Sequence, residues 1–221
     1  MMRIFRITIV TGMCALAGVA FGGSGLALAH QQHSAAAKQA PHNVKTGQTA
    51  AALRDLWTGH IFWVRNVALA TFNKNEAALK AAEQQAVANA QSIAAAIEPF
   101  YGAAAKDALF KLLAGHYGAV KAYLVATAGE DASGQSKATE ALTSNATAIA
   151  DFLSKANPNL PKDTVNGRLL AHVGHHIQQI QGLKAGNYAA EAKTWEEMKV
   201  HMYVIADAMA GALAKQFAKK R

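Results

Sequence analysis

Cysteine is almost missing from this chain. The single one, Cys14, falls near the start, and no thiol follows it in 221 residues. Disulfides and thiolate chemistry are therefore excluded beyond that point, and any metal must be held by His, Met, carboxylate or amide groups. Proline is scarce, with four residues, alanine is abundant and strand-like alternation is absent, which excludes a sheet protein and predicts an all-α fold. No βαβ pattern or nucleotide-binding strand–loop–helix unit is legible. After the opening segment, no stretch reaches the roughly 18 uninterrupted apolar residues of a membrane span. Acidic residues number 14 against 22 Lys and Arg, but part of the excess is Lys219-Lys220-Arg221 at the end. With no aromatic–basic interleaving, nucleic acid is not an expected partner. A solvated tail is the plain reading of that charge, and weak attraction to an anionic envelope surface the sharper one.

What is present starts with an export pattern. Arg3 and Arg6 precede a largely apolar run from Ile7 to about Phe21, and the segment closes on Ala27-Leu28-Ala29. This predicts a signal peptide over 1–29, cleaved after Ala29, and a periplasmic or secreted protein. Thr11-Gly12-Met13 before Cys14 is a poor lipoprotein box. Residues 30–46 read as a flexible polar leader, and 47–218 as one helical domain. Cleavage after Ala29 leaves His30 first, with His33 nearby. A terminal amine with its own imidazole chelates copper(II), whereas the plainer reading is a leader that begins with histidine.

Histidines at 60, 116 and 172 are spaced by 56 and 56 residues. Sliding the chain over itself by 56 aligns Ala52–Ala94 with Ala108–Ala150 without a gap, and 13 of 43 pairs are identical. They include Gly59/Gly115, His60/His116, Val64/Val120 and Asn89/Asn145. A third, more diverged copy keeps His172, Ile205, Ala206 and Asp207. The expectation is three tandem 56-residue helical hairpins, six main helices in all, forming one bundle or a short stack. The first helix should run from about 47 to 72 with Leu53, Leu56, Trp57, Val64 and Val67 inward, and the second from about 76 to 98 with Ala82, Ile93 and Ala96 inward. Asn75, Asp131 and Asn187 are expected N-caps, Gly129 and Gly186 turn residues, and Pro99, Gly102, Pro158 and Pro161 joints.

In a hairpin, residues equidistant from the turn share a level. That rule puts His60, Asn89, His116, Asn145, His172 and His201 in one polar layer, all on apolar stripes. One reading is structural: each His bonds its level partner and sets register. The other is a metal site. His172 and His176 are an i, i+4 pair on one helical face, and His201 stands where the other hairpins have asparagine. His172, His176 and His201 are expected to converge, with Met198, Met202 and Glu197 near His201. His60 and His116 would complete the site if the hairpins close around an axis. Copper, zinc or iron suit such a cluster, the thioethers favouring copper(I). His175 leans off the stripe and is the weaker ligand. Asp55 and Arg65 flank the first histidine and read as surface salt-bridge formers. Phe62, Trp63, Phe100 and Tyr101 read as packing groups.

Leu113-Ala-Gly-His116-Tyr, Asn145 through Phe152, Ala156-Asn157-Pro158-Asn159, His172-Val-Gly-His175-His176 and His201-Met202…Ile205-Ala206-Asp207 carry a family likeness. Across about 50–218 the chain resembles a group of exported bacterial all-helical proteins of unestablished function, some of which carry a glycosyltransferase label. It is loosely similar to hemerythrin-like di-iron bundles, which also set histidines on facing helices. It departs from that pattern at Val120, where a carboxylate would follow His116, and at Asp207, six residues after His201 rather than five.

The leading expectation is thus an exported helical bundle that binds a transition metal, for storage, sensing or handling. Binding needs neutral imidazoles, so affinity should fall as pH drops below about 6.5. The second is a non-catalytic structural or interaction bundle whose His/Asn layer is purely structural. The third is a metal-dependent enzyme.

Overall fold

The computed structural model describes residues 46–218. The expected signal peptide, His30, His33 and the leader up to residue 45 lie outside the described residues, as does the basic tail. The described chain is helical, without strands: α1 (Thr46–Phe72), α2 (Glu76–Ala95), a single turn α3 (Glu98–Tyr101), α4 (Ala103–Ala128), α5 (Ala132–Ala156), α6 (Lys162–Lys184) and α7 (Tyr188–Phe217). None of these helices is long and apolar enough to cross a membrane.

The helix borders follow from local chemistry. The Asn75 side chain accepts from the Ala78 N–H at 3.0 Å, Asp131 from Gly134 at 2.9 Å and Asn187 from Ala190 at 3.1 Å. Each cap satisfies one orphan donor at the start of α2, α5 and α7. Before each cap the chain turns through the left-handed region, at Lys74 (φ 54°), Glu130 (φ 58°) and Gly186 (φ 67°). At all three, the cap N–H bonds back to the carbonyl five residues earlier, Ala70, Ala126 or Gly182. This is the glycine-preferring helix stop, yet only the last copy has its glycine in place. Gly129, expected as a turn residue, stands one position too early, at φ −85°. The second helix ends at Ala95 rather than near 98 because the Pro99 ring would strike the Ala95 carbonyl four residues back.

Packing makes the six long helices a ring. Each packs against its chain neighbours (α2 against α4 across α3), and α7 packs against α1. The first helices α1, α4 and α6 also touch one another. They therefore form the inner layer, and the ring closes rather than stacking open. Each outer helix buries every fourth residue: Ala82, Ala86, Ala90 and Ala94 on α2, Ala138, Leu142, Ala146 and Ala150 on α5, and Thr194, Met198, Met202 and Ala206 on α7. Small side chains bring α2 close to α1, whereas methionines fill the corresponding space under α7. Leu53, Trp57, Val64, Val67 and Ile93 are buried as expected, with Leu56 and Ala96 half-buried.

Candidate metal centre

Because α1, α4 and α6 are the inner helices, His60, His116 and His172 point from three sides into the centre. His176 adds a fourth imidazole one turn beyond His172, where α1 and α4 carry Val64 and Val120. All four are at most 6% exposed. The rings of His60, His116 and His172 form a near-equilateral triangle, with centroids 5.8, 5.5 and 5.6 Å apart. The His176 ring lies 5.5, 5.7 and 4.3 Å from them. One nitrogen from each lies within 4.8 Å of the other three. His176 Nε2 is 3.0 Å from His172 Nε2, which is 3.4 Å from His60 Nε2. Four nitrogens bound at 2.0–2.1 Å to a tetrahedral ion sit about 3.4 Å apart, so two edges already have that scale.

The group is electrically neutral. Burial in the apolar core is the main force holding the imidazoles unprotonated: His60 falls to about 3, with help from repulsion by His116, and His116 to about 4. His172 and His176 are lowered well below the usual value by burial and then by the other rings. Proton competition for these nitrogens in the folded chain is thereby displaced well below the expected pH 6.5. Neutral imidazoles have a lone pair to offer but satisfy one another poorly. His116 has both ring nitrogens buried with no hydrogen-bond partner, a cost of about 1–3 kcal/mol for such a group.

His201 does not join this group. It sits on the outer helix α7, and its Nε2 lies 2.8 Å from the Arg168 carbonyl oxygen, to which it donates. The expected convergence of His172, His176 and His201 fails because α6 turns His172 and His176 to the axis, while α7 turns His201 to the neighbouring backbone. His201 instead sits beside His175, with ring centroids 5.2 Å apart. The thioether argument loses its anchor with it, although Met198 and Met202 are fully buried on α7.

The expected His–Asn pairs do not form either. Asn89 Nδ2 donates to the Leu56 carbonyl at 3.0 Å, and Asn145 Nδ2 to that of Leu112 at 3.0 Å. With His201 to Arg168, these latches span 33 residues each, and each acceptor lies four residues before an inner histidine. Gly59 and Gly115 make room for the asparagines: a Cβ there would meet Asn89 Nδ2 at 2.7 Å and Asn145 Nδ2 at 3.1 Å. In the third hairpin the corresponding pair is Ala171 with His201.

Arg65, expected as a surface salt-bridge former, does form a salt bridge, but half-buried and with a buried acid. Its guanidinium grips Glu191 through two bonds of 2.6 and 2.7 Å, and Gln179 Nε2 donates to the same carboxylate at 3.0 Å. Glu191 is 1% exposed, and the Arg65 bonds lead in holding its carboxyl below the usual range. The partners are 126 residues apart, so no local pattern announces them.

An apolar chamber of about 40 Å³ borders His60, His116 and His172 but not His176. Trp57, Leu109, Leu113, Ile149 and Leu169 wall it, with Arg168 and Ala208 also on its lining. No protein-family model, curated protein or solved structure matches the chain.

Proposed function

We propose that this bundle binds one transition-metal ion through His60, His116, His172 and His176. The observation that carries the reading is four neutral, buried imidazoles from three helices, with one nitrogen of each in mutual ligand range. Imidazole donors suit zinc, copper, cobalt or iron rather than calcium or magnesium, and the near-tetrahedral spread of the rings favours zinc. The bonds that recur at 56-residue intervals support an origin as three copies of one hairpin. His176, which breaks that pattern, is the residue that turns a triangle of rings into a four-ligand cage. With the Arg3/Arg6 and Ala27-Leu28-Ala29 pattern, the role is metal handling, storage or sensing in the periplasm or outside the cell. Membership of the exported helical group that the chain resembles belongs to the same proposal.

Elemental mass spectrometry on the purified chain, before and after loading with zinc, copper, cobalt and iron, tests it. About one ion per chain, lost in His172→Leu, is the expected result. No retained metal in any loaded sample sinks the proposal and favours the structural bundle, in which the outer latches already set register.

A further inference from the structure

We infer that the ion held by the four histidines also takes a small monoanion, of the size of hydroxide or azide, from the apolar chamber. This rests on the metal reading above.

The first argument is charge. Four neutral imidazoles leave a divalent ion with its full +2 in a dry core, where uncompensated charge is costly. The coordinating group contains no carboxylate, and Glu191, the one buried acid among the described residues, is already engaged by Arg65 and Gln179. An added anion halves the buried charge. The second argument is shape. The chamber touches the three rings of the triangle and not the fourth, so it opens on the face of the site away from His176. Zinc-type ions are able to expand from four ligands to five, and an uncovered face gives a further ligand its place. At about 40 Å³ the chamber holds a ligand of one to three heavy atoms and excludes larger hydrated anions. The third argument is the lining. Arg168 is one of the lining residues, and its charge is not compensated by an ion pair among the described residues. A smaller cavity beside Tyr101 and Asn157 shares Leu153, Leu160 and Met209 with the chamber, continuing the apolar path toward the α3 end of the bundle.

The test uses the full chain loaded with cobalt(II), whose visible bands report coordination number, titrated with sodium azide. The expected result is a saturable change to a weaker, five-coordinate spectrum with one azide per cobalt. Arg168→Gln and Ala208→Leu should each keep stoichiometric cobalt and weaken azide binding by about tenfold, roughly 1.4 kcal/mol. Having two variants guards against one failing to fold, which far-ultraviolet circular dichroism reports. Bound cobalt whose spectrum ignores azide overturns the anion site and leaves the metal reading standing. Azide that strips the cobalt, or unchanged azide affinity in both folded variants, likewise overturns it. Failure to bind cobalt or any other metal removes both.

Discussion

The inner and outer halves of one polar layer make different use of similar residues. Asn89, Asn145 and His201, on the outer helices, each reach a backbone carbonyl of the neighbouring inner helix. His60, His116 and His172, at the same levels on the inner helices, reach one another or nothing. A buried polar group that finds a backbone partner explains itself as structure. A set that converges, stays neutral and leaves nitrogens unpaired does not, and such a set marks a site.

Acid should separate the halves most strongly. The four inner histidines have folded pKa values below the unfolded value, so between those limits the unfolded chain takes up protons that the folded chain refuses. Stability contributed by keeping them neutral is therefore complete above about pH 6.5 and is lost as pH falls toward the folded values, about 3 for His60 and about 4 for His116. His60 and His116 should each cost roughly 2 kcal/mol by pH 5, with His172 and His176 adding loss in the same direction, enough to threaten a domain of ordinary stability. Denaturant midpoints of the metal-free chain from pH 7.5 to 4.5 will measure it, and the slope should flatten in His116→Leu.

Removing a ligand gives the next largest contrast. His176→Leu should lower zinc affinity about a hundredfold or more, read by calorimetry. His116→Leu should raise the stability of the metal-free chain by about 1–3 kcal/mol, because an imidazole whose two buried nitrogens have no partner is replaced by an apolar group. A merely structural histidine would show the opposite sign in the second measurement.

The outer latch should behave the other way. Asn89→Ala should cost about 1–2 kcal/mol and leave metal stoichiometry unchanged. Gly59→Ala should cost a similar amount, because its Cβ would press on Asn89 Nδ2 at 2.7 Å. The double variant should cost clearly less than the two added together, since both act on one contact. Additive losses would mean that the glycine serves some other purpose.

The smallest effect concerns the turns. Lys74 and Glu130 occupy the left-handed conformation that Gly186 adopts without strain. Lys74→Gly should stabilise the chain by about 0.5–1 kcal/mol, visible as a rise in Tm, while Gly186→Ala should destabilise it.

Much of this architecture is local and so could be read along the chain. Periodicity marked the helices, Asn75, Asp131 and Asn187 marked the starts of the outer ones, and equal distance from each turn put the polar residues at one level. The likeness at 56 residues pointed to His60, His116 and His172 together. What level alone does not define is rotation about each helix axis. His201 shares a level with His172 but not its direction, so level alone groups two residues that the fold separates. The pairing of Arg65 with Glu191 is not legible in the sequence because it is wholly non-local.

The sequence by itself determined helix content, caps and the height of the polar layer, because these depend on residues within a turn or two of one another. Only the tertiary structure decided which residues face the axis. Packing α7 against α1 closes the ring, and closure places α1, α4 and α6 inside. It is that burial, from contacts between distant segments, that draws four imidazoles together and strips them of water and protons.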